Sequence, residues 1–177
     1  MTTGEASLRE TKFGLVYEAP GWFVINLADT VWERHERAGT WSAFEPPSGE
    51  FEQYGIGVHV LEPGQPNGRY HSESFQEDFL VLAGECILIV EGEERRLKQW
   101  DFFHASPGTH HIRVGAGDGP CAILMAGARG EGNKIHYPRS ELAARYDASS
   151  PEDTSDSKVA YSDWGRKFER VRSAWPI

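Results

Sequence analysis

The stretch GQPNGRYHSESFQEDFLVLAG, residues 64–84, decides how this sequence folds and where its chemistry lies. It leaves the turn signal Pro66-Asn67-Gly68, passes through polar residues, and enters the apolar run Phe79 to Leu82 before Ala83-Gly84 closes it. Short β-branched and aromatic runs closed by Gly, Pro or Asn mark strands and tight turns. On a strand, His71 and Glu73 stand two apart, so their side chains leave the same face. Glu77 is in phase with the core-facing Phe79 and Val81. A carboxylate on such a row needs a partner, because burying it alone costs more than a small domain tolerates. A metal ion is the natural partner for two carboxylates and a histidine.

Outward from that stretch the same grammar repeats. Tyr54 to Leu61, Cys86 to Val90, Phe102 to Ala105 and Cys121 to Met125 read as further strands, with turns at Glu62-Pro63-Gly64, Glu91-Gly92-Glu93 and Ser106-Pro107-Gly108. Many short strands without a helical period between them predict an all-β barrel or sandwich over residues 51–128. Residues 1–50 read as an N-terminal extension packing on it. In that extension residues 1–12 are polar and loose, Trp22-Phe23-Val24-Ile25 is an added strand, and residues 33–50 are a long surface loop. Residues 129–177 read as a C-terminal extension. Ser140 caps a short helix there, and the polar stretch from Ser149 to Ser157 is a flexible linker. Trp164, Phe168, Val171 and Trp175 then anchor a tail on the barrel or on a second copy of it.

Composition narrows the function classes. Of 177 residues, 39% are hydrophobic and 12% aromatic, enough for a core, and the net charge is −9. That charge argues against nucleic acid or an anionic membrane as partner. No apolar run approaches the ~20 residues of a membrane helix. The start MTTGEASLRETKF lacks an apolar leader, so a cytoplasmic setting is expected. Cys86 and Cys121 form no disulfide framework and read as small buried hydrophobes.

A second segment, WDFFHASPGTHHIR at residues 100–113, adds a histidine at the start of a strand. Together the two segments resemble the paired motifs of the cupin superfamily. His71, Glu73, Glu77 and Gly84 occupy the places of the first motif, with the spacing from Gly64 one residue longer. Gly108 and His111 match the second, with Ser106 where proline is usual and Gly115 where asparagine is usual. Trp100-Asp101 stands where the family shows Gly-Asp, and the hairpin from Ile89 to Leu97 lies between the motifs as in that family. The resemblance covers under half of the chain. It implies a cupin-type jelly-roll barrel, a double-stranded β-helix, with one divalent metal (Fe, Mn, Zn or Ni) inside.

The departure from the family pattern is Glu73, which stands where a second histidine is usual. In one reading His71, Glu73, Glu77 and His111 all ligate, two imidazoles and two carboxylates that neutralise the ion and disfavour copper. In the other, His71, Glu77 and His111 ligate and Glu73 beside them is a general base. A metal-free polar network of the same four residues is the third possibility. Arg113 shares the parity of His111, and either holds a substrate carboxylate or pairs with Glu73 or Glu77. His110 points away, His104 packs near the barrel wall, and His35, His59 and His136 read as structural or surface residues. The tryptophans pack extensions or a dimer interface.

The expected function is a metal-dependent enzyme acting on a small molecule, with Glu73 and Arg113 as its catalytic residues and oxidoreductase or dioxygenase chemistry ahead of isomerase or lyase. The alternative is a non-catalytic ligand-binding protein, a sensor or accessory subunit. A homodimer is the expected assembly.

Overall fold

The computed structural model describes residues 4–18, 21–45, 49–165 and 167–173; the expected anchor Trp175 lies outside them. In chain order β1 (Leu8–Thr11) and β2 (Gly14–Tyr17) precede β3 (Trp32–His35), β4 (Gly39–Ala43) and β5 (Tyr54–Leu61). Next come β6 (Ser72–Glu73), β7 (Glu77–Ala83), β8 (Glu85–Val90), β9 (Glu93–Lys98) and β10 (Phe102–Ala105). They are followed by β11 (His111–Ala116), β12 (Cys121–Ala128), β13 (Ile135–His136), α1 (Glu141–Ala144), α2 (Ser157–Ala160) and β14 (Glu169–Val171). A seven-stranded antiparallel sheet has the order β10-β7-β12-β5-β4-β3-β14, and a three-stranded sheet the order β11-β8-β9. Among the described residues, no helix is long and apolar enough to cross a membrane.

The main core lies between the two sheets. Leu61, Phe79, Val81 and Ile123 from the large sheet meet Cys86 from the small one in one buried cluster. The opposite parity serves the outside of the large sheet, where Val58, Val60 and Ala122 pack around the fully buried Trp32. On the outside of the small sheet, Ile89 and Ile112 pack beneath Ala143 of α1. Strand β11 is therefore covered on both faces, and its inward row carries His111 and Arg113, both at most 2% exposed. Gly84 closes the turn from β7 to β8 at φ +71°, where a Cβ would stand 2.3 Å from the carbonyl oxygen of Pro120. Only glycine fits that place without displacing backbone.

The strands expected in the middle are present, three with longer bounds, while the flanks depart from expectation. Residues 33–50 are not one long loop: β3 and β4 extend the large sheet, and the charges that disguised them lie on its outer part. There Arg34 pairs with Glu169 at 3.1 Å, across the β3–β14 register. Residues 22–25 form no strand, since Trp22 makes only a bridge to Glu5 and Trp22 and Val24 are exposed. Phe23 instead stacks on Tyr17 at 4.2 Å. The polar start contains β1, hydrogen-bonded along β2, so residues 8–11 are not loose. The Ser140 cap is observed, its hydroxyl accepting from the Ala143 N–H at 3.2 Å.

The stretch from Ser149 to Ser157 is not a flexible linker. Ser150 is buried, Thr154 exchanges two backbone hydrogen bonds with Tyr137, and Asp156 caps α2. Its polar residues are used by the fold, the signature of a packed loop and not of a solvated one. The tail docks on its own barrel: β14 pairs with β3, and Trp164 is buried against Tyr161 and His35.

Candidate metal centre

Three strands and one irregular stretch build the site. Residues His71 and His111 exchange two backbone hydrogen bonds, of 3.2 and 2.8 Å, which sets their imidazole rings side by side with centroids 5.1 Å apart. Glu77, at the start of β7 and in phase with Phe79, enters the same space from the facing sheet. One donor atom from each of His71, Glu77 and His111 lies within 4.8 Å of the others.

Hydrogen bonding fixes which nitrogen of each ring faces inward. Nδ1 of His71 donates to the carbonyl of Arg69 at 2.6 Å, and Nδ1 of His111 to the carbonyl of Thr109 at 2.9 Å. A carbonyl only accepts, so each Nδ1 carries its proton and each Nε2 of the neutral ring presents a lone pair. Those Nε2 atoms stand 3.8 and 3.2 Å from the same oxygen, Oε2 of Glu77. His111 Nε2 and Glu77 Oε2 are buried without a hydrogen-bond partner. Lone pairs facing a carboxylate at that range repel unless a cation sits among them, and imidazoles whose other nitrogen donates to a backbone carbonyl are the usual arrangement at a metal site. The donor set fits a divalent ion.

Charge states agree with ligation. Burial pulls the His71 imidazole down to about 4, with the neighbouring His111 acting in the same direction. Burial would raise Glu77, yet its contact with His111 and the charges of His71 and Arg113 hold it at about 2. Neutral imidazole and ionised carboxylate are the forms that bind metal.

Glu73 and Arg113 border this cluster. Glu73 Oε1 is 3.9 Å from His71 Nε2, while its Oε2 accepts from the Asn133 side chain at 2.7 Å. Burial raises its carboxyl above the usual range, and the Asn133 hydrogen bond opposes that rise. The Arg113 guanidinium lies flat on Phe79, 3.5 Å from the ring centroid, and burial lowers it to about 10, still charged at neutral pH. Its Nε and Nη1 have no partner, and it makes no ion pair with any described carboxylate. These residues, with Asn67 and Met125, line a cavity of about 410 Å3.

Residues 57–127 match the family model described as a cupin domain. Those residues carry a cupin domain. No curated protein matches this chain at a significant level. Among solved structures it is similar to KdgF from a Halomonas species, at 22% identity and TM-score 0.51, covering 63% of this chain and 97% of that one. The polyketide cyclase RemF from Streptomyces resistomycificus matches at 14% identity and TM-score 0.51, over 59% of this chain and 78% of that one. A cupin 2 domain-containing protein from Halorhodospira halophila matches at 17% identity and TM-score 0.50, over 62% and 75%. At these identities the likeness is one of fold.

Beyond the motif residues, the chain uses several that sequence reasoning passed over. Asn67 accepts from the Arg113 backbone N–H at 3.1 Å, and Asn133 holds Glu73 from a loop sixty positions away. His59 faces inward from β5, in phase with the core residue Leu61, a parity that was available as a signal. Arg69, 1% exposed, donates to the carbonyls of Asp147 and Ser149, pairs with Asp163, and lies 4.5 Å from the Trp164 ring centroid. Isolated basic residues in a turn give no hint of such a role. His104 does not pack on the barrel wall: it is exposed and bonded to Asp78 at 2.7 Å, because β10 is an edge strand whose even positions face solvent. His110 stacks on Tyr70 and approaches Glu91, away from the cluster.

Proposed function

We propose that this cupin is a metal-dependent enzyme acting on a small acidic molecule, with the ion held by His71, Glu77 and His111. The observation that carries the reading is the pair of buried, partnerless atoms His111 Nε2 and Glu77 Oε2, 3.2 Å apart, beside an imidazole whose tautomer the backbone locks. A bound divalent ion supplies Lewis-acid polarisation of a substrate oxygen. Arg113, a buried cation with free N–H groups, receives the substrate's anionic group; an unpaired buried charge is otherwise costly. Glu73, held by Asn133 and not needed to complete the three-residue cluster, moves a proton to or from the bound molecule.

Proton transfer is the chemistry of an isomerase or lyase, and dioxygen chemistry has no comparable need of Glu73. The proton-transfer reading therefore moves ahead of the oxidoreductase one. A homodimer through the exposed Phe102 on the edge strand β10 belongs to the same proposal, as does a cytoplasmic setting for two free buried cysteines. Sedimentation at micromolar concentration tests the dimer.

Elemental analysis of protein purified without chelator or histidine tag tests the core of the reading. About one equivalent of divalent metal is expected, lost in His111→Ala and kept in Glu73→Gln. Metal lost in Glu73→Gln makes Glu73 a ligand and removes it as the base. No metal before or after reconstitution overturns the enzyme reading in favour of a ligand-binding cupin.

A further inference from the structure

The barrel interior does not end at the metal-side cavity. Trp41, Asn67 and Met125 line that cavity and also a second, larger one of about 960 Å3. One wall of this chamber is the inward face of β4 and β5, with Trp41 and His59. The opposite wall is the chain between α2 and β14, with Tyr161, Trp164 and Phe168. The rings form one connected surface. Trp41 meets His59 at 5.4 Å and Phe168 at 5.6 Å between centroids, and Tyr161 meets Trp164 at 5.3 Å. Arg69 holds the outer wall in place through its bonds to Asp147, Ser149 and Asp163, so the chamber is preformed.

Two of the chamber's side chains are more than nine-tenths buried and carry a polar atom without a partner: His59 at Nδ1 and Trp164 at its indole N–H. His59 Nε2 faces the carbonyl of Ala38 at 2.5 Å, so Nε2 carries the proton and Nδ1 is an acceptor. Both partnerless atoms are shielded from solvent by protein, so what the chamber offers a ligand is its aromatic surface. At its boundary with the metal side stands Met125, whose sulfur is 3.9 Å from Arg113 Nη2.

Resting on the function proposed above, we propose that this chamber is the subsite for an aromatic ring of the substrate, whose acidic end reaches Arg113 and the metal side. The ring stacks against the aromatic walls. The substrate class is an aromatic acid.

The test uses para-hydroxybenzoate as probe and cyclohexanecarboxylate as its non-aromatic comparator, with the full chain, by calorimetry and tryptophan fluorescence. Saturable binding of para-hydroxybenzoate is expected, with the comparator and the variant Phe168→Ala each weaker by about tenfold. Phe168 is 58% exposed, so its removal leaves the fold and the metal content intact, which elemental analysis of the same sample checks. Equal affinity for probe and comparator, or wild-type affinity in both Phe168→Ala and Trp41→Leu, overturns the inference. A sample that holds metal yet binds no probe at millimolar concentration also overturns it and leaves the metal reading standing. Probe binding retained in metal-free His111→Ala, and lost on Phe168→Ala, supports the chamber whatever becomes of the metal reading.

Discussion

Lowering pH weakens this fold through His59 in a way that one substitution isolates. His59 is buried on β5 with Nε2–H bonded to the Ala38 carbonyl, and burial lowers it from 6.5 to about 4, with the Arg113 charge adding to the effect. In the unfolded chain the imidazole takes up a proton as pH falls below 6.5; in the folded protein it does so only near 4. Between those values the unfolded state binds more protons, so stability falls as pH falls. The lowering from 6.5 to about 4 corresponds to roughly 3 kcal/mol, of which about 2 kcal/mol is already gone at about pH 5. Urea unfolding of wild type and His59→Gln, compared at about pH 7.5 and about pH 5, cancels the other titrating groups. The wild-type midpoint should fall by about 1 M more than that of the variant. A difference between the two proteins that does not change with pH refutes the reasoning.

Other perturbations test the scaffold. Gly84→Ala places a methyl 2.3 Å from the Pro120 carbonyl at a positive φ, and should cost at least about 2 kcal/mol in thermal unfolding. Arg69→Met removes the bonds to Asp147, Ser149 and Asp163, and should cost about 3 kcal/mol while opening residues 147–165 to limited proteolysis. Cys86 and Cys121, both with 0% exposure, should be silent to a thiol reagent in the native protein and react when it is unfolded.

The barrel strands were legible because each is a short apolar run between strong turn residues, and β5 and β10 have the bounds read from the sequence. The cluster was legible through parity: Glu77 in phase with Phe79 had to point inward, and it does. What sequence reading missed is tertiary. Strand β3 carries charges, Glu33 and Arg34, that its pairing with β14 explains. Residues 149–157 look like solvated linker until Arg69 is seen to take the Ser149 carbonyl and Thr154 to pair with Tyr137. The run Trp22 to Ile25 was apolar enough for a strand but has no strand beside it. Burial of a polar residue, or exposure of an apolar one, depends on partners far along the chain.

Arg69 faces two ways. Its side chain grips the C-terminal segment, and its own carbonyl receives the Nδ1 proton of His71. The tail that walls the aromatic chamber is therefore joined to a candidate metal ligand through a single residue. Substitutions in the tail that shift Trp164 or Asp163 should register as altered metal affinity, although neither residue belongs to the metal cluster. Changes selected for a new ring specificity and changes at the centre would then be epistatic, and retuning the chamber by design would call for rescreening the metal site in the same round.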